Sequence, residues 1–244
     1  MSATGCPASN QVIELYTALA QRPEQDFGWD KGIGNARSHG YRDAWIRALP
    51  ESAWAYCAAV GNPFGLGAFT PGASVLDLGC GAGIDLLVAA LLVGAQGTVI
   101  GVDITPAMVE LAARHAALAD LANVRVLEAS IEQLPVPDAS VDIVISNGAI
   151  NLAASKARVF AEIRRVLRPG GHLYFADMIR DASCSATGCA SAGSWADCVA
   201  GTLPAEQLLA LMQSAGLVDA QLVAVNHYKT AASTVGATFS ARRD

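Results

Sequence analysis

From residue 74 onward the chain alternates short apolar runs with stretches of helical spacing. Ser74–Leu78 reads as a buried strand, Ile84–Val93 as a helix and Thr98–Val102 as a second strand. Thr105-Pro106 marks a helix start, with a hydroxyl at the N-cap and proline at the first helical position. Met108, Leu111, Ala112, His115 and Leu118–Ala119 then recur at the three-to-four-residue spacing of a helix face. Val124–Leu127 and Val141–Ile145 are further strands. Phe160, Ile163, Val166 and Leu167 form the stripe of the next helix, which Pro169-Gly-Gly171 stops before a fifth strand, His172–Ala176. A last helix, Pro204 to Ala215 with Gly216 behind it, precedes two strands, Ala220–Val225 and Val235–Ala241. Short apolar runs with helical interludes predict an α/β chain whose parallel sheet is covered on both faces.

Residues 1–65 lack strand alternation and carry three of the four tryptophans, Trp29, Trp45 and Trp54. Val12 to Ala20 and Tyr41 to Leu49 read as short helices, the second ended by Pro50, with the glycine-bearing segment 26–32 as a loop between them. This portion is expected to be a helical N-terminal cap over a second unit, residues 66–244. Within that unit, residues 181–201 are rich in Ser, Ala, Gly and Cys without periodicity and predict a mobile loop beside the site.

Composition narrows the classes. Of 244 residues, 52% are hydrophobic and 16% charged, which is enough for a sizeable core and excludes wholesale disorder. A formal charge of −6 argues against a general nucleic-acid binder, and the cluster Arg164, Arg165 and Arg168 reads as the solvated face of one helix. No window reaches the ~20 apolar residues of a membrane span, and the N-terminus carries no secretory pattern. Six cysteines without export read as thiols, so the expected compartment is the cytoplasm.

Candidate chemistry centres on Val75-Leu-Asp-Leu-Gly-Cys-Gly-Ala-Gly83. An apolar strand enters a turn with alternate glycines, a helix follows, and a second strand ends at Asp103. Glycines at 79, 81 and 83 are expected to let a ligand approach the backbone, while the loop amides and helix N-terminus face it. Asp103, at the tip of the second strand, can accept hydrogen bonds from both hydroxyls of a ribose, or else cap the following helix. Ile84 stands where a dinucleotide fingerprint needs its third glycine, which disfavours a nicotinamide cofactor.

With Asp77 ahead of it, this loop resembles the motif of class I S-adenosylmethionine-dependent methyltransferases. The resemblance implies a Rossmann-like fold with a seven-stranded, mostly parallel sheet and an antiparallel last strand. It also implies S-adenosyl-L-methionine as cofactor, held by Asp77, Gly79, Cys80, Gly81, Asp103, Ile104, Met108, Ser130, Ile131 and Asn147. Ser130 stands where the family commonly places an acid against the adenine amino group, and Ile104 and Ile131 either sandwich the adenine or belong to the core. A narrower resemblance, from about residue 57 to the C-terminus, is to arsenite methyltransferases. It rests on Gly61-Asn-Pro63, Ile145-Ser-Asn-Gly-Ala-Ile-Asn-Leu152, Arg165-Val-Leu-Arg-Pro-Gly-Gly171, Trp195-Ala-Asp-Cys-Val-Ala-Gly201 and Ala237-Thr-Phe239.

Trivalent arsenic is soft and thiophilic, so its site needs two or three converging thiolates. Only Cys198 carries over by motif. Two family cysteines fall at Val60 and Gly148, and Cys57 lies three residues before the first of these. Cys184 and Cys189 share the loop with Cys198 and complete a candidate three-thiol set for a metalloid. A zinc site or a redox pair is the alternative reading of the two, while Cys80 reads as packing and Cys6 as a thiol of the chain end. The expected acceptor is a small molecule or metalloid, with a small organic metabolite as the alternative. Phe27 and Trp29 either close over the cofactor or pack the cap; His115 and His172 read as structural; Asp177 is a site candidate without a role.

Overall fold

The computed structural model describes residues 7–181 and 201–244. Seven strands form one sheet in the order β3-β2-β1-β4-β5-β7-β6: β1 (Ser74–Leu78), β2 (Thr98–Asp103), β3 (Val124–Glu128), β4 (Val141–Asn147), β5 (Leu167–Arg180), β6 (Leu217–Val225) and β7 (Thr234–Arg243). β1 to β5 run parallel, and β7 is antiparallel to both β5 and β6. The sheet therefore has the expected mixed character, with β7 inserted between β5 and the edge strand β6.

Eight helices accompany it among the described residues: α1 (Pro7–Gln21), α2 (Ile33–Ser38), α3 (Asp43–Ala48), α4 (Glu51–Trp54), α5 (Ile84–Val93), α6 (Pro106–Leu118), α7 (Lys156–Val166) and α8 (Ala205–Ser214). α5 is apolar apart from Asp85 and is enclosed along most of its surface, with Leu91 its exposed position. One face meets β1 and β2, and the other shares a core with Tyr41, Trp45 and Trp54 of the N-terminal portion. α7 is amphipathic and places Val159, Phe160, Ile163 and Val166 in a second core on the opposite face of the sheet, with Phe175 and Phe239.

Three local expectations need correction. Pro169-Gly-Gly171 does not separate α7 from a short fifth strand. β5 begins at Leu167, and these residues form an irregularity between the Val141–Leu167 and Ile143–His172 pairs. Gly171 fits there because a Cβ would lie 2.9 Å from the carbonyl oxygens of Arg168 and Asp142. Thr105 is the N-cap of α6, yet its hydroxyl makes no capping bond. Instead its own amide donates to Asp103 Oδ1 (2.8 Å). The helix expected over Tyr41 to Leu49 is shorter and leaves Tyr41 outside it, free to reach Asp85 on α5.

Candidate functional site

A deep cleft opens beyond the C-terminal ends of β1 to β4, where open parallel sheets hold their ligands. All ten expected cofactor residues line it: Asp77, Gly79, Cys80, Gly81, Asp103, Ile104, Met108, Ser130, Ile131 and Asn147. Ser9, Val12, Tyr16 and Leu19 of α1 line the same cleft together with Trp29. Trp29 also packs on Phe27, with ring centroids 5.5 Å apart, so it serves both the cap's small core and the cavity wall.

The glycine loop is shaped as much by its neighbours as by any ligand. A Cβ on Gly79 would lie 2.3 Å from Ala149 Cβ, and one on Gly83 would lie 3.2 Å from the backbone of Ala112. Only Gly81 has open space around it, at φ +52. Two of the three glycines are thus required by packing of the β4 end and of α6. Asp103 Oδ2 accepts the Gly81 amide (2.9 Å) and closes the loop onto β2. His115, buried on α6, holds the Ala82 carbonyl through Nδ1 (2.8 Å), consistent with the structural reading of this residue.

Electrostatics are one-sided. Asp77, Asp85, Asp103 and Glu132 line the cavity, and among the described residues no Lys, Arg or His does. Burial pushes Asp77 well above the usual carboxylate range, helped by the nearby charges of Asp85 and Asp103. Burial also raises Asp85, to about 6, against hydrogen bonds from Tyr41 and Asn147. Asp103 is raised by burial too, opposed by the amides of Thr105 and Gly81. Asp77 Oδ2 has no hydrogen-bond partner although it is buried. An orphaned acceptor in an acid-lined, base-free cleft is complementary to a ligand that brings positive charge and N–H donors. S-adenosylmethionine, with its sulfonium and ammonium, has that character; a dinucleotide pyrophosphate has the opposite one.

Asp85 and Tyr41 were not singled out from sequence. Tyr41 donates to Asp85 Oδ1 (2.5 Å), and the Asn147 amide donates to Asp85 Oδ2 (3.0 Å) and the Gly61 carbonyl (2.9 Å). Asn147 Oδ1 accepts the Val60 amide (2.9 Å). The Gly61-Asn-Pro63 and Ile145-Ser-Asn147 motifs, far apart in the chain, are thereby joined. Asn151 of the latter motif bonds Asp177, which is fully enclosed and lies outside the cavity lining.

Cys184, Cys189 and Cys198 lie outside the described residues. Cys57 lines the cavity but points its thiol at Asn35 Oδ1 (3.7 Å), and burial pushes it up to about 12. It is a neutral thiol at physiological pH. Cys80 is likewise pushed upward by burial and packs under Gly101. Among the described residues no cluster of His, Cys, Asp and Glu could hold a metal ion, and no helix is long and apolar enough to cross a membrane.

Residues 69–216 match the methyltransferase-domain family. The chain belongs to that family, as a class I S-adenosylmethionine-dependent methyltransferase. Within it, the chain resembles arsenite methyltransferases. It is 44% identical to the enzyme of that name from Halobacterium salinarum over 156 residues, 64% of this chain and 40% of that protein. The Aquipseudomonas alcaligenes arsenite methyltransferase is 35% identical over 191 residues, 74% of this chain and 55% of that protein. The chain therefore spans only about half the length of these relatives, or less. The crystal structure of an arsenic(III) S-adenosylmethionine methyltransferase from Chlamydomonas reinhardtii superposes with a TM-score of 0.66 at 32% identity, covering 82% of this chain and 72% of that one.

Proposed function

We propose that this chain methylates trivalent arsenic, holding the metalloid through the thiolates of Cys198, Cys184 and Cys189 next to the cleft. One observation carries the reading. Among the described residues, the part of the cleft over β4, β5 and the β6–β7 connection is lined by Val60, Gly148, Leu152, Met178, Tyr228 and Thr230, with no carboxylate, histidine or amine. Glu132, elsewhere in the lining, is engaged by the amides of Ala154 and Ser155. A hydroxyl or amine acceptor needs a base to remove its proton, whereas the lone pair of thiolate-bound arsenic attacks carbon directly.

S-adenosylmethionine supplies, when bound, a methyl group on a positively charged sulfur. We assign Asp77 and Asp85 to its cationic end, Asp103 to the ribose hydroxyls, and Ile104, Met108 and Ile131 to the adenine faces, with Ser130 at the adenine edge. The loop of Gly79, Cys80 and Gly81 lies along the nucleoside, and Asn147 holds Asp85 in place. Residues 1–65 act as a cap on the 66–244 unit, α1 and Trp29 excluding water from the transfer. Gly201 stands against the Asn151 carbonyl, where a Cβ would come within 2.2 Å, and Leu152 beside it lines the cleft. A cytoplasmic setting would keep the thiols of Cys184, Cys189 and Cys198 reduced.

A small organic acceptor is the second reading. Val60 and Gly148, at the positions of two expected cysteines, are in contact: a Cβ on Gly148 would lie 3.3 Å from Val60 Cγ2. This apolar wall suits a carbon-rich acceptor. Turnover with labelled cofactor against arsenite, methylarsenite and a panel of phenols, amines and thiols separates the two. Methylated arsenic supports the first reading; turnover confined to an organic acceptor supports the second.

A further inference from the structure

The segment 57–61 crosses the cleft as a strap, and Cys57, Ala58, Ala59 and Val60 all line it. The strap is held by asparagine side chains from three separate parts of the fold. Asn35 on α2 accepts the Ala59 amide (2.8 Å) and donates to the Ala59 carbonyl (3.1 Å). Asn147 at the end of β4 takes the Val60 amide and the Gly61 carbonyl, and Asn226, just past β6, donates to the Val60 carbonyl (2.8 Å). Gly61 permits this docking, since a Cβ there would come within 2.9 Å of Ala176 Cβ.

Asn226 has a second task. Its Oδ1 accepts the amide of Tyr228 (2.9 Å), another lining residue of the same end of the cleft. Gly236 N–H bonds the Tyr228 carbonyl, and a Cβ on Gly236 would come within 2.4 Å of Asn226 Oδ1, so the asparagine is tightly seated. One side chain thus fixes Val60 on the strap and Tyr228 on the β6–β7 connection with respect to each other. Its Nδ2 sets one wall and its Oδ1 the other. The Asn226 side chain bonds backbone groups of the strap and of the β6–β7 connection, away from the nucleoside half of the cleft.

We infer that Asn226 is a positioning residue for methyl transfer, fixing the distance between Val60 and Tyr228 and thereby the size of acceptor that fits. This rests on the assignment of that end of the cleft to the acceptor. Asn226→Asp keeps the acceptor for the Tyr228 amide but turns a second oxygen on the Val60 carbonyl; Asn226→Ala removes both bonds without adding charge. In either variant the amides of Ala59 and Val60 are expected to exchange hydrogen at least tenfold faster, with β1 and α5 unchanged and S-adenosylmethionine affinity within twofold of wild type. The ratio of kcat/KM for phenylarsonous acid over arsenite, both supplied with glutathione, is expected to rise at least fivefold. A purely structural role would lower both rates by one factor and leave the ratio fixed, which overturns the inference. Unchanged exchange at residues 59 and 60 overturns it as well. If wild-type protein methylates neither arsenical, the arsenic reading fails separately, and the exchange result, which needs no acceptor, still decides whether Asn226 holds the strap.

Discussion

Replacing Asp103 with alanine tests the nucleoside half of the account. Asp103 is 8% exposed, with Oδ1 on the Thr105 amide and Oδ2 on the Gly81 amide. A carboxylate offers about four acceptor positions, so two remain for ribose hydroxyls. Hydrogen bonds to a charged group contribute about 1.5–3 kcal/mol each, and water entering the emptied space recovers part of that. The low end for two bonds, about 3 kcal/mol, corresponds to roughly a 100-fold loss of S-adenosylmethionine affinity. The same substitution strips two amides of their acceptor, at about 1–3 kcal/mol each where they are buried, so the ligand-free protein should also melt several degrees lower. Calorimetric titration well below the melting temperature separates the two effects. Asp103→Asn is informative because its single acceptor oxygen must leave an NH2 group facing one of the two amides; its affinity loss should approach that of alanine. Affinity within twofold of wild type in either variant refutes the assignment of Asp103 to the ribose.

Proton linkage gives a second test. Asp77, Asp85 and Asp103 have raised pKa values in the folded chain, so their burial favours the folded state at low pH, and that contribution is lost as pH rises from the unfolded carboxylate range, for Asp85 through about 6. A cationic ligand draws these values back down, so cofactor binding should release protons near pH 6, where Asp85 titrates, read by calorimetry in buffers of different ionisation enthalpy; no release at pH 6 contradicts the acid-lined cleft. Tryptophan emission should change when S-adenosylmethionine is added, and Trp29→Phe should remove most of the change; an undiminished response in that variant shows that Trp29 only packs the cap. Gly79→Ala places a Cβ 2.3 Å from Ala149 and should unfold the loop or abolish cofactor binding, whereas Gly81→Ala, in open space at φ +52, should cost only about 1–2 kcal/mol of backbone strain. Equal melting temperatures for the two variants would contradict the packing explanation of the loop.

What the sequence made legible follows a physical division. Buried parallel strands leave unbroken apolar runs, and a tight loop leaves glycines, so β1, β2, the loop and Asp103 could be read and all ten expected cofactor residues line one cleft. Asp85 does not stand out in the sequence because an acid in the first turn of a helix is ordinary; its one signal is that α5 is otherwise apolar on every face. Tyr41, Asn35 and Asn226 carry no signal in the sequence, since bonds between groups dozens of residues apart have no period. Asn226 and Val60, for example, are separated by 166 positions. The sequence makes β5 look too short because Pro169-Gly-Gly171 has the composition of a stop, while the sheet on both sides supports the irregularity.

The central claim is methyl transfer to thiol-bound trivalent arsenic, and the most direct measurement is arsenic speciation after incubating the protein with arsenite, glutathione and methyl-labelled S-adenosylmethionine, for wild type and Cys198→Ser. A serine hydroxyl is a hard donor that cannot replace a thiolate toward arsenic. Wild type should give labelled methylarsenicals, faster between neutral and mildly alkaline pH as thiols near ~8.5 ionise. Cys198→Ser should give none, with its cofactor affinity nearly unchanged. Undiminished arsenic methylation in Cys198→Ser, or none in wild type while a phenol or amine is methylated, would contradict the claim.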